Sequence, residues 1–130
     1  MSKIDKKTVI IAAILGAITI AIGAFGAHGL KELVNEQSLN SFNTGVRYQM
    51  YHILALLIIG LSSKISDLTK KWTFGFMISG IILFSGSIYV LSIKELLSID
   101  ISSIGFITPL GGILFILGWL RLAFGIFANK

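Results

Sequence analysis

The hydrophobic positions of this chain gather into four runs separated by short polar breaks. The first, Thr8 to Ala27, reads TVIIAAILGAITIAIGAFGA and holds no charge over twenty residues, the length a helix needs to cross a hydrocarbon core of about 30 Å. A signal peptide would share the basic start at Lys3, Lys6 and Lys7, but it has a shorter apolar core and no further spans behind it. The second run, Ile53 to Leu61, reaches spanning length only when SFNTGVRYQMYH forms its upstream turns, giving Ser41 to Ser63. Thr73 to Ile93 and Thr108 to Ala128 are full length. The pattern predicts an all-α, integral membrane four-helix bundle, one domain over residues 1–130 with spans at about 8–27, 41–63, 73–93 and 108–128.

Between the first two spans, GLKELVNEQSLN places Leu30, Leu33 and Val34 on one helical face, which predicts a short amphipathic segment resting at the membrane interface. Orientation follows from the basic residues, because lysine and arginine near span ends are retained in the cytoplasm. Lys3, Lys6, Lys7, Lys64, Lys70, Lys71 and Lys130 fall on one side, and Lys31, Arg47 and Lys94 on the other. The expectation is N-in/C-in, a multi-pass protein of the cell membrane with both termini cytoplasmic. Trp72, beside Lys71, suits an interfacial aromatic belt; Trp119 lies inside the fourth span and is expected to pack or to face lipid.

Composition agrees with a membrane solvent. Charged residues make up 13% and hydrophobic residues 55%, with a mean hydropathy of +0.89, too few charges to dress the surface of so small a soluble domain. The formal charge of +5 does not indicate nucleic acid, because the basic residues flank apolar runs and form no Arg-rich stripe. Cysteine is absent, which removes disulfides, thiolate metal sites and cysteine catalysis.

Two further patterns concern the interior. Gly111, Gly118 and Gly125 recur every seven residues in the fourth span, and Gly16 and Gly23 in the first, predicting flat stripes for close helix packing. In the second helix Ser41, Thr44, Tyr48, Tyr51 and His52 cluster opposite Phe42, Val46, Met50, Ile53 and Leu57. Counting from Lys64 puts His52 about 18 Å into the membrane, so this polar face should look inward. Similar depths for Thr19, Ser79 and Arg121 predict one polar layer with His52, with Tyr48, Tyr51, Ser85 and Ser87 above it. Arg121 has two readings, a snorkelling side chain or an anion contact. His28, in GAFGAHG, reads as an interfacial or capping residue near the second helix.

Catalytic and cofactor chemistry finds little support. All six carboxylates, Asp5, Glu32, Glu36, Asp67, Glu95 and Asp100, lie outside the apolar runs, which argues against proton-coupled transport and paired-carboxylate hydrolysis. No HExxH motif or serine-histidine-carboxylate set is visible. His28 and His52 differ in depth by more than one turn, a poor match for a haem ligand pair, so no cofactor or metal is expected.

The segments GAFGAHGL (Gly23 to Leu30), RYQMYHILALL (Arg47 to Leu57), SGSIYVL (Ser85 to Leu91) and TPLGGILFILGWL (Thr108 to Leu120) closely resemble the small membrane proteins of the domain of unknown function 423 family. The resemblance covers nearly the whole chain and implies a multi-pass membrane protein with no established reaction. The matching motif positions are Gly23, Gly26, His28, Gly29, Tyr48, Gln49, Tyr51, His52, Pro109, Gly111 and Gly112; Arg121 is not among them. The candidate polar site is therefore His28, Tyr48, Gln49, Tyr51 and His52, with Arg121 retained on its depth alone. The preferred function is a non-catalytic, membrane-organising protein that binds lipid or protein, with membrane lipids, a second copy of itself or another membrane protein as partner. The alternative is a small oligomeric transporter or channel that uses the polar face of the second helix.

Overall fold

A computed structural model describes residues 1–128, and these are helical throughout apart from short connections, with no strand among them. Lys130, counted above with the basic residues of one side, lies outside the described residues. Four long helical segments follow one another: α1 (Lys3–His28), α2 (Glu36–Leu61), α3 (Asp67–Ser92) and α4 (Ile107–Ala128). The segments containing α1, α3 and α4 are long and apolar enough to cross a membrane. The polar upstream half of α2 keeps that helix outside this group.

Three helices begin earlier than the apolar runs suggest, because capping chemistry sets their starts. Ser2 and Asp5 form a reciprocal box in which Ser2 Oγ accepts from the Asp5 N–H at 3.2 Å and the Asp5 carboxylate accepts from the Ser2 N–H at 2.9 Å. Asn35 caps α2 by accepting from Ser38 N–H at 2.9 Å, and Ser66 caps α3 by accepting from Thr69 N–H at 3.3 Å. Such caps are worth about 1 kcal/mol each and work on polar residues just outside the greasy segment. The predicted amphipathic segment is consequently shorter than expected. Leu30–Glu32 is a single 3-10 turn with Leu30 buried, Leu33 is exposed, and Glu36 to Asn40 already belong to α2. The longer connection from α3 to α4 holds two more 3-10 turns, Lys94–Leu96 and Ser102–Phe106. There Asp100 accepts from Ser102 N–H at 2.9 Å, which holds its carboxyl below the ordinary 3.8.

Neighbouring helices run antiparallel and approach through glycines. A Cβ on Gly26 would meet the Phe42 ring at 2.7 Å, and one on Gly60 would meet Val9 at 2.8 Å, so α1 and α2 cross closely at both ends. On α4, Gly111, Gly118 and Gly125 lie against Phe84, Met77 and Thr69 in turn, at 2.3, 3.0 and 2.3 Å from where a Cβ would stand. The fourth-span stripe is thus an intrachain seam between α3 and α4. Gly16 differs, since a Cβ there would meet Ile53 at an ordinary 3.8 Å, and Gly23 would meet Val46 at 3.4 Å. The closest approach to a neighbouring backbone, Gly111 to Phe84, falls where α3 widens into a π turn over Ile81–Ser85. Such a turn displaces the local backbone and re-aims its side chains. The apolar core, built on Ala12, Ile53, Leu56, Ile59, Met77, Ile81 and Phe115, lies where α1, α2, α3 and α4 meet.

The ends of α1 and α3 nearest the N-terminus are tied by polar contacts. Lys70, 1% exposed, pairs with Asp5 and donates to the Ser62 carbonyl at 2.6 Å, while Ser2 Oγ donates to Asp67 at 3.1 Å. The Lys70 hydrogen bond, followed by that from the Ser2 backbone, holds the Asp5 carboxyl below 3.8. Lys70 was counted in sequence only as a flanking charge; its burial follows from the carboxylate and carbonyl that fold against it. One turn deeper, the hydroxyls of Thr8 and Thr73 are buried without a partner among the described residues.

Candidate functional site

The inward stripe of α2 runs through Phe42, Gly45, Gln49, His52, Ile53, Leu56, Ile59 and Gly60, a helical repeat of three and four residues. Relative to the face expected from polarity, it is rotated toward Gln49. Tyr48 and Tyr51 are 41% and 55% exposed, so the expectation that both look inward does not hold. The reason is partner supply: the amide of Gln49 finds hydroxyls on two neighbouring helices, whereas a tyrosine can leave its ring in an apolar medium.

Gln49 lies at the centre of a polar chain that crosses three helices. Its Nε2 donates to Thr19 Oγ1 at 2.7 Å, Thr19 donates on to the Leu15 carbonyl at 2.6 Å, and Tyr89 donates its hydroxyl to Gln49 Oε1 at 2.6 Å. Nearby, Ser85 Oγ donates to the Gly45 carbonyl at 2.7 Å. The predicted depth of Thr19 is therefore matched by Gln49 instead of His52. Ser79 is exposed and takes no part in a layer. Arg121 is half-buried on α4 with its guanidinium over Gly125, makes no ion pair among the described residues, and stands apart from the Gln49 chain. His28 is exposed at the end of α1.

His52 faces α4 and makes its own set of contacts. Its Nδ1 lies 2.6 Å from the Tyr48 carbonyl and its Nε2 is 3.1 Å from Trp119 Nε1. An indole N–H only donates, so Nε2 accepts, and Nδ1 carries the hydrogen that it donates to Tyr48. The ring is a neutral imidazole with both nitrogens used. Its face stacks on Phe115, centroids 3.5 Å apart and planes within 9°. Phe84, displaced by the π turn, packs against both Tyr48 and Phe115 at centroid distances of 4.9 and 5.4 Å.

These contacts bridge two helices whose backbones do not pack together, since α3 lies against both α2 and α4 while α2 and α4 approach mainly through side chains. What results is a lateral crevice floored by α3. Its aromatic part, about 450 Å³, is lined by Tyr48, His52, Phe84, Pro109, Gly112 and Trp119 among others, and the His52 to Trp119 bond closes its far end. Toward the α3–α4 connection lies a second, polar cleft of about 330 Å³, lined by Asn35, Ser38, Ser41, Ser92, Lys94, Glu95 and Thr108 among others. Trp119, Phe115, Phe84 and Tyr89 were not singled out by sequence as site residues. The WL and SIY segments that carry Trp119 and Tyr89 were visible as motifs, but their pairing with His52 and Gln49 on α2 was not. Among the described residues no three histidine, aspartate or glutamate side chains gather into a metal-ligating group.

Comparison with known proteins places these features in a family. A family model described as a protein of unknown function (DUF423) matches residues 22–112, which carry Gln49, His52, Phe84, Tyr89 and Gly111. UPF0382 membrane protein YwdK of Bacillus subtilis is 42% identical over 119 residues, covering 90% of this chain and 93% of the relative. UPF0382 membrane protein SAB0533 of Staphylococcus aureus is 40% identical over 122 residues, covering 94% and 96%. A UPF0382 membrane protein of Haemophilus influenzae is 37% identical over 125 residues, covering 96% and 97%. No solved structure matches the chain. With three long apolar helices and family matches over nearly its full length, the chain belongs to the DUF423 family of membrane proteins of unknown function.

Proposed function

We propose that this chain is a four-span protein of the cell membrane, with both termini in the cytoplasm, that binds a membrane lipid in the crevice between α2 and α4 without catalysing a reaction on it. The basic residues that flank the N-terminal ends of α1 and α3 support the orientation. α2 counts as the fourth span although it is the most polar, because Gln49 and His52 are hydrogen-bonded to neighbouring helices. The carrying observation is the crevice itself, an aromatic-lined opening at membrane depth that the chain leaves unfilled, closed at one end by the His52 to Trp119 bond.

The same contacts favour binding over transport. A pathway along the polar face of α2 would need groups free to exchange partners, whereas Gln49 and His52 are engaged with neighbouring helices. Native mass spectrometry of the purified protein tests the proposal. One phospholipid is expected to remain bound, and Gly112→Leu is expected to release it, because a Cβ there meets only Phe84 at 3.9 Å and a longer side chain enters the crevice. Retention unchanged by Gly112→Leu, or a second copy of the chain in place of lipid, would overturn it. Solute flux in liposomes that disappears with His52→Ala would favour the transporter reading instead.

A further inference from the structure

The polar cleft and the aromatic crevice differ in chemistry and follow one another along α2 and α4. Thr108 lines the polar cleft and Pro109, the next residue, lines the aromatic part. From Ser41 at the mouth to His52 at the closed end is eleven residues of α2, and from Thr108 to Trp119 is eleven residues of α4. Either wall is about 16 Å long. That is close to half of a hydrocarbon core of about 30 Å, the depth of a single leaflet.

The mouth carries one charge of each sign. Lys94 and Glu95 stand in the exposed turn that follows α3, and Lys94 has no ion-pair partner among the described residues. Asn35 donates to Glu95 Oε1 at 2.8 Å, which holds that carboxylate at the cleft and leaves its second oxygen for another donor. A simple anion drawn to Lys94 would meet the carboxylate one residue on, and an isolated cation would meet the lysine. A headgroup bearing both a phosphate and an ammonium satisfies both.

Resting on the reading of the crevice as a lipid site, we infer that its occupant is a zwitterionic, amine-bearing phospholipid of the leaflet at the Lys94 and Glu95 end. Its phosphate meets Lys94, its ammonium meets Glu95, and one acyl chain runs down the aromatic wall to the His52 to Trp119 bond. Gly112 leaves the room for that chain, and the neutral, doubly bonded imidazole presents no charge to it.

The test uses Trp119 as the reporter, in full-length protein carrying Trp72→Phe, reconstituted with phospholipids brominated near the chain ends. Brominated phosphatidylethanolamine is expected to quench Trp119 at about threefold lower mole fraction than brominated phosphatidylglycerol, with Lys94→Gln and Glu95→Gln each reducing that preference about twofold, the size of one exposed charge contact. Inorganic phosphate in the same sample should leave the quenching unchanged. Relief by phosphate would indicate a simple anion site and overturn the inference. If Gly112→Leu abolishes the excess quenching while neither headgroup nor Lys94 and Glu95 matters, the lipid site stands and the headgroup assignment falls. If Gly112→Leu changes nothing, both fall.

Discussion

The two sides of α2 solve the same problem differently. Toward α1 and the C-terminal half of α3, the helix presents Gly45, Gln49 and Gly60, the backbones come close, and each polar group of the Gln49 chain meets a partner on another helix or its own backbone. Toward α4, it presents Tyr48 and His52, the backbones stay apart, and a lone side-chain bond to Trp119 with an aromatic stack spans the gap. In a bilayer, helix association draws on close packing and interhelical hydrogen bonds more than on burial of apolar surface. The first side uses both and is closed around Gln49, with an apolar cavity of about 510 Å³ beside it, lined by Ile18, Phe25, Phe42 and Tyr89 among others. The second uses mainly aromatic contact and leaves a space that a lipid chain can occupy.

Substitutions that exchange the character of the two sides separate structure from binding. The largest effect is expected at the α3–α4 seam that holds the crevice floor. Gly111→Leu forces a side chain against the Phe84 backbone nitrogen, 2.3 Å from the Cβ position, and should lower stability by about 3 kcal/mol in thermal unfolding. Its neighbour Gly112→Leu, which meets open crevice, should stay within about 0.5 kcal/mol while losing lipid. Equal destabilisation by the two would mean that the crevice wall is packed after all.

On the closed side, Gln49→Leu keeps the volume but leaves the Tyr89 hydroxyl without its acceptor and Thr19 without its donor, at a cost of about 1 to 2 kcal/mol with little change in lipid retention. Below it in size stands a pH effect at the N-terminal end. The Asp5 carboxyl is held below 3.8 in the folded state, mainly by its hydrogen bond from Lys70, so the unfolded chain takes up a proton first. This contribution is complete above that value and lost as pH falls through the folded one. The melting temperature should therefore drop below about pH 4 in the native chain, and Asp5→Asn should flatten that drop. A profile identical in Asp5→Asn would remove the ion pair from the account. The smallest effect belongs to the open side: Trp119→Phe deletes the one hydrogen bond that closes the crevice, about 0.6 kcal/mol, yet should weaken lipid retention more than Gln49→Leu does. The reverse order would show that the closed side controls binding.

Much of the architecture was legible because it is local. A twenty-residue uncharged run and the recurrence of Gly111, Gly118 and Gly125 are properties of one segment at a time. Most of what was missed depends on two segments at once. The capping box of Ser2 and Asp5 is local but lies outside the apolar run, so counting hydrophobic residues passed over it. Lys70 resembled any other flanking lysine until Asp5, 65 residues away, folded against it. Gln49 was recognised as part of a motif, yet its partners lie 30 and 40 residues off, and nothing in a helical wheel distinguishes a glutamine that will find two hydroxyls from a tyrosine that stays exposed.

The sequence by itself therefore determined the solvent, the helical class and the family, because bilayer thickness, the cost of unpaired backbone and the motif segments act on contiguous residues. Only the tertiary structure decided which face of α2 is tied by hydrogen bonds at Gln49 and which is bridged at His52. That choice turns on distances between separate helices: Gly111 meets backbone where Gly112 meets space, and Gln49 is bonded to two helices where His52 reaches across a gap to one.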